Sequence, residues 1–231
     1  MLPFLPLLLE VIVQTVDDAR AAADGGADRL EVVRSIRDGG LTPAPSLVEA
    51  IAAATSLPLR VMIRENAGYE SDAAEWRVLG RAAADVASIG VDGLVAGFAR
   101  GGNLLLGSLS VILDAAPGVP VTFHRAFETL ADPGGAVDVL AGIQRIDRIL
   151  TSGGEGTVVE RCARLRELSA RAGSRVLIMA GGSVDEKALA AFAKDGCVRE
   201  IHVGRAAREG LDPEGPVSAA RVRRLRDLAD A

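Results

Sequence analysis

Val119-Pro120-Val121-Thr122-Phe123-His124-Arg125-Ala126-Phe127 starts as a short apolar strand and ends on a histidine beside an arginine. An apolar run of this length, with charge only at its end, suits a strand covered on both faces, as in a parallel sheet. Working outward, seven further segments repeat the plan: 7–13, 28–33, 59–64, 93–97, 148–152, 175–180 and 200–204. Each ends on a polar residue or glycine and leads into a helical pattern. Thr15 is the expected N-cap of a helix over 16–24, and Ser71 that of a long helix ending near Ser88. Asp132-Pro133 starts another helix as cap followed by proline at the first helical position. Thr157 with Glu160, and Ser183 with Glu186, read as capping boxes. Further helices are expected over 46–55 and 109–115 and from 217 onward. Eight strand–helix units predict one α/β domain over 1–231, a (β/α)8 barrel. An open doubly wound sheet is the competing arrangement, weakened because no unit carries Gly-x-Gly-x-x-Gly.

Composition agrees with a large apolar core and excludes several functions. Hydrophobic residues are 49% of the 231 residues and aromatics only 3%, so the expected core is Val, Leu, Ile and Ala. The net charge of −5, without a basic block, disfavours nucleic acid. The run 1–9 lacks a basic start and is interrupted by Glu10, so it reads as a leader into the first strand, not a signal peptide. It is also too short for a membrane span, which needs about 20 apolar residues. Cys162 and Cys197 are expected to be buried packing residues, and a reducing cytoplasm is the default. The basic run Arg221, Arg223, Arg224 and Arg226 has helical spacing and reads as a solvated face.

Chemistry is expected where the strands end. Both histidines, His124 and His202, fall toward the C-terminal ends of strands, where such barrels place their active sites. Glu10 and Glu31 lie inside apolar strands, so each must face the mouth and find a partner, with Arg64 the expected counter-ion. Two readings stay open. One is a charge network that only fixes the lining. The other is a pocket with Glu10, Glu31, His124 and His202 as acid–base groups and Arg64 and Arg125 as anion clamps. Gly181-Gly182-Ser183 and Gly204-Arg205 follow the last two strands, where these barrels hold phosphate. Arg205 would add charge, and Thr151 and Ser152 hydroxyl donors. Tyr69 could close over a ligand, whereas Trp76 reads as packing. The residues themselves specify no metal and no cofactor.

Several motifs resemble the CutC family in the same order. They are Gly26-Ala-Asp-Arg-Leu-Glu31, Gly39-Gly-Leu-Thr-Pro43, Val61-Met-Ile-Arg64, Val121-Thr-Phe-His-Arg-Ala-Phe127, Ile149-Leu-Thr-Ser-Gly-Gly154 and Ile178-Met-Ala-Gly-Gly182. The resemblance implies a cytoplasmic (β/α)8 barrel associated with copper homeostasis and possible copper binding. Copper binding in that family is attributed to cysteines two residues after the first two strand glutamates. Here those positions are Ile12 and Val33, so the attributed thiolates are absent. The family's Ile-Arg-Pro-Arg-Gly-Gly segment is Ile63-Arg-Glu-Asn-Ala-Gly68, and an acidic residue near Leu105 is missing. Glu10, Glu31, Arg64, His124 and Arg125 keep the pattern. Three roles follow as expectations: a copper-binding protein, an enzyme on a small anionic metabolite such as a phosphorylated one, or a non-catalytic barrel acting through homo-oligomer surfaces.

Overall fold

The computed structural model describes residues 7–231; most of the expected leader lies outside them. The strands are β1 (Leu8–Val13), β2 (Arg29–Val32), β3 (Leu59–Met62), β4 (Gly93–Ala96), β5 (Ala99–Arg100), β6 (Asn103–Leu104), β7 (Val121–Phe123), β8 (Ile146–Thr151), β9 (Leu177–Ala180) and β10 (Glu200–Val203). The helices are α1 (Val16–Gly25), α2 (Pro45–Ala54), α3 (Ala73–Ser88), α4 (Leu106–Ala115), α5 (Pro133–Ala141), α6 (Val158–Ala172), α7 (Glu186–Asp195) and α8 (Ala219–Asp230). All strands but β5 and β6 form a closed parallel barrel, β10 pairing back onto β1 with Leu8 opposite Glu200. The fold is a (β/α)8 barrel, and β5 and β6 are a small antiparallel hairpin in the loop after β4.

Several local expectations hold. Thr15 caps α1, Asp132 caps α5 ahead of Pro133, and Thr157 with Glu160 forms a capping box. Others are corrected. Asp72, not Ser71, caps α3, because the Ser71 hydroxyl accepts the Trp76 indole N–H at 3.2 Å. Asp185 caps α7, which leaves Ser183 in the preceding loop at φ +54°. The nine-residue opening stretch contributes only Val121–Phe123 as strand, and Arg125–Thr129 is a 3-10 turn. Of the α8 arginines expected on a solvated face, Arg223 and Arg224 are exposed, whereas Arg221 and Arg226 are partly buried. Arg226 binds Asp28 and Asp230, each at 2.6 Å, Arg224 binds Glu186, and Arg221 donates to the Ala206 carbonyl. Charge here docks α8 onto its neighbours.

Burial divides the strands by alternate residues. Leu9, Val11, Val13, Leu30, Val32, Val61, Leu94, Phe123, Ile149, Ile201 and Val203 join the apolar layer shared with the helices. The intervening positions fill the barrel interior and are largely polar. Arg29 of β2 binds Glu10 of β1 and, at 2.6 Å, Glu200 of β10. Arg148 of β8 binds Glu200 at 2.7 Å and its neighbour Asp147. Asp147 in turn takes both amino groups of Arg60, at 3.0 and 2.6 Å. A smaller apolar cluster of Val33, Met62 and Val95 lies apart from the main core. The Val/Leu/Ile/Ala core expected from composition is therefore only the outer layer.

Two glycines make room for these polar chains. A Cβ on Gly93 would strike the Arg60 guanidinium, and one on Gly97 would lie 2.7 Å from His124 Nδ1. Removing one partner of a buried ion pair leaves an uncompensated charge, at a cost of about 3–5 kcal/mol. Arg29→Ala is accordingly expected to lower the unfolding free energy by roughly that amount in urea titrations. A loss below about 1 kcal/mol would show that water or rearrangement serves Glu10 and Glu200 equally well.

Candidate functional site at the barrel mouth

A cavity of about 650 Å3 opens at the C-terminal ends of the strands. Of the residues expected to act, Glu31, Arg64, His124, Arg125, Gly182, His202, Gly204 and Arg205 line it. Tyr69 joins them, its ring 5.4 Å from that of His124. Glu10, Thr151, Ser152 and Gly181 do not.

Glu10 sits one layer deeper. Its Oε2 is bound by Arg29, and its Oε1 lies 2.7 Å from His202 Nδ1. Burial alone would raise the Glu10 carboxyl, but Arg29 and His202 outweigh it and hold the pKa far below the ordinary value. Glu10 is thus a fixed anion. Arg29, not Arg64, is its counter-ion, which corrects the expected pairing. The sequence does not single out Arg29; its signal is a charge two residues before Glu31 on the same strand, hence on the same face.

Glu31 lies opposite. Its Oε2 is 3.2 Å from His202 Nδ1, and its Oε1 is buried without a partner. Burial raises its pKa from 4.5 to about 7, with His202 opposing and the Glu10 charge adding to the rise. For His202, burial would lower the pKa, but Glu31 and Glu10 raise it above the ordinary value. The imidazole therefore bridges a permanent carboxylate and one that titrates near neutrality. A carboxyl so tuned, on a cavity wall, can take or give a proton at physiological pH.

His124 is set the other way. Burial first, then the nearby Arg64 and Arg125, lower its pKa from 6.5 to about 3. Its Nδ1 accepts the Ala126 N–H at 3.1 Å, because the 3-10 turn brings that amide back over the ring. The neutral ring must then carry its proton on Nε2, which is buried without a partner. His124 is a neutral hydrogen-bond donor.

The arginines divide by task. Arg64 donates to the carbonyls of Gly39, Gly40 and Gly68 at 3.1–3.4 Å, and to that of Ala67. It ties two mouth loops together, and Thr42 secures it by exchanging hydrogen bonds of 2.8 and 2.9 Å with its backbone. Arg125 and Arg205 are exposed at the rim. Thr151 and Ser152 are not open to an incoming anion. Glu128 accepts from Thr151 Oγ1 at 2.8 Å and Ser152 Oγ at 2.9 Å, filling that hydroxyl cradle with a carboxylate of the chain. After β9, Gly182 and Ser183 are consecutive left-handed residues on the cavity wall. A serine held there stores backbone strain of the kind found at ligand sites.

A family model described as the CutC family matches residues 7–207. The chain belongs to the CutC family. A CutC family protein of Agrobacterium fabrum is 35% identical over 92% of this chain and 85% of its own length. One of Bacteroides fragilis is 33% identical over 88% of this chain and 81% of its own. The crystal structure of CutC from Streptococcus agalactiae, assigned provisionally to copper homeostasis, superimposes with TM-score 0.78 at 22% identity, covering 85% of this chain and 97% of that one. Thiamine phosphate pyrophosphorylase from Pyrococcus furiosus superimposes with TM-score 0.61 at 16% identity, over 96% and 95% of the two chains. At these identities the structural matches establish the barrel and no activity.

A copper site at the mouth would need donors suited to that metal. Glu10, Glu31 and His202 can bring one atom each within 4.8 Å of one another. Two are hard carboxylates, Glu10 is already held by Arg29, and Met62 is the sulfur side chain on the cavity wall. Cu(I) favours thiolate and thioether donors. This mouth does not suit it. Cys162 and Cys197 lie elsewhere and are joined as a disulfide, which corrects their reading as separate packing residues.

The titration of Glu31 gives a testable sign. Between pH 4.5 and about 7 the folded protein keeps a proton that the unfolded chain has released, so stability falls as pH rises through that window. His202, raised instead, stabilises below 6.5 and loses that contribution as pH rises through its folded pKa. Glu31→Gln should flatten the fall and raise the denaturation midpoint above pH 7. A variant with the parent's slope would remove Glu31 as the titrating group.

Proposed function

We propose that this CutC-family barrel binds a small anionic metabolite in its mouth and transfers a proton on it. The reading is carried by one observation: Glu31 Oε1 and His124 Nε2 are both buried, both unpartnered, and both belong to residues lining the same cavity. A buried polar atom without a partner costs about 1–3 kcal/mol, a cost that a ligand hydrogen bond would remove. The two atoms differ in kind. His124 offers a proton to an oxygen without changing charge, and Glu31 can take one from the same molecule. An enolisable carbonyl compound, or a hydroxy acid in equilibrium with one, has both features. The neutral imidazole would stabilise the developing oxyanion while Glu31 holds the abstracted proton.

The ligand's anionic group belongs at Arg125 and Arg205, beside the Gly182-Ser183 turn, where exposed guanidiniums can form bidentate bonds to phosphate or carboxylate. Glu10, Arg29 and Arg64 are positioning residues in this scheme. Copper homeostasis, implied by the resemblance and carried in the name of the Streptococcus agalactiae relative, stays a proposal for this chain, and its copper is not placed in the mouth. A cytoplasmic location, also implied by the resemblance, belongs to the same proposal. In that compartment the Cys162–Cys197 bridge would be a redox-dependent bond, not a permanent one.

A thermal-shift series with inorganic phosphate, small carboxylates and phosphorylated sugars tests the site. A ligand at a hundredfold excess over Kd should raise the midpoint by about 5–10 °C through mass action. Arg125→Ala and Arg205→Ala should lose most of that rise. Glu31→Gln should keep it while abolishing solvent-deuterium exchange into the bound ligand. If no anion moves the midpoint, or if the arginine variants respond like the parent, the reading is wrong.

A further inference from the structure

On the outer face of the barrel, Cys162 lies in the second turn of α6 and Cys197 follows the left-handed Gly196 that ends α7. Their Cα atoms are 5.6 Å apart. Asp195, the last residue of α7, sets Oδ1 3.0 Å from Cys162 Sγ. A disulfide sulfur has no proton to donate, so an ionised carboxylate against it gains nothing in the closed state. The same carboxylate is well used once the bridge opens. Cys162, Asp195 and Cys197 then offer two soft donors and one hard one, and their ligand atoms lie within 4.8 Å of one another. Arg166, one turn beyond Cys162 on α6, binds Asp195 in an exposed pair that water screens, so unlike the buried Glu10–Arg29 pair it can yield its carboxylate to a cation. Both sulfurs are buried and Asp195 is exposed, so a cation reaches the pair from the carboxylate side.

We infer that the reduced protein binds one thiophilic d10 cation, Zn2+ or Cu+, at Cys162, Cys197 and Asp195, and that closing the disulfide expels it. Cu+ would take the two thiolates; Zn2+ would take all three donors and leave its fourth position to water. Loading releases two thiol protons to solvent. Expulsion needs a two-electron oxidant of the low-molecular-weight disulfide class. The two thiolates give up two electrons and form the S–S bond; the small disulfide takes up those electrons and two protons, leaving two small thiols and the free cation. This site is independent of the proposed proton transfer, because it shares no residue with the mouth.

The full chain, reduced with a phosphine and kept anaerobic, is titrated with Zn2+ and then Cu+ against chromophoric chelators; the oxidised chain is treated alike. One equivalent should bind to the reduced form and none to the oxidised form. Cys162→Ser or Cys197→Ser should weaken binding at least a hundredfold, and Asp195→Asn should weaken Zn2+ about tenfold. Co2+ in place of Zn2+ should show thiolate charge-transfer absorption that the serine variants lack. Glu31→Gln should bind as the parent does. Equal binding by both redox forms would overturn the inference, as would full stoichiometry in the double serine variant. Loss of the metal in Glu31→Gln, with both cysteines intact, would place the cation in the barrel mouth instead. Should the serine variants lose their far-ultraviolet dichroism, the redox comparison and Asp195→Asn decide alone.

Discussion

Arg29 sits between Glu10 and Glu200 in the middle of the barrel, and the polar interior is built outward from that contact. A guanidinium there would be costly unless its charge and hydrogen bonds were met. They are met by two carboxylates from β1 and β10, the two strands whose pairing closes the barrel. The network continues through Arg148 and Asp147 to Arg60, so three cations face three anions and the network itself is neutral overall. The arrangement contributes specificity of register. A one-residue slip of β2 would turn Arg29 and Glu31 into the apolar layer under the helices and bring Leu30 inside.

The site's electrostatics depend on this interior. Because Arg29 holds Glu10 as a permanent anion, His202 is drawn toward its charged form and Glu31 is pushed toward its neutral one. Two glutamates on neighbouring strands thus acquire opposite roles through partners alone. His124, across the mouth, faces arginines instead of carboxylates and stays uncharged. The two histidines therefore bring different chemistry to one cavity, a division that sequence position does not reveal.

What the sequence makes legible falls off with distance along the chain. Thr15, Asp132 with Pro133, and Thr157 with Glu160 act within one turn, and their roles were legible because the interaction is local. Ser71 and Ser183 failed as caps because an acidic residue next to the helix took the position, and the Ser71 hydroxyl went to Trp76 from the next turn. Of the strand-end residues expected at the mouth, Glu31, Arg64, His124, Arg125 and His202 do meet around one cavity. Thr151 and Ser152 are claimed by Glu128, which is local in space but 23 residues away.

Alternating apolar strands, glycine-ended turns and capped helices specify the (β/α)8 barrel from sequence alone. Each signal repeats at a period set by backbone geometry and so needs no knowledge of the partner. The motifs of the CutC family were legible for the same reason, as contiguous residues at strand ends. Tertiary structure decided what the sequence left open: which charge answers which, which histidine is neutral, and whether the two cysteines meet. Those outcomes depend on side chains brought together from distant strands in a medium where water cannot screen them. Cys162 and Cys197, 35 residues apart, become neighbours only when α6 and α7 pack side by side on the closed barrel.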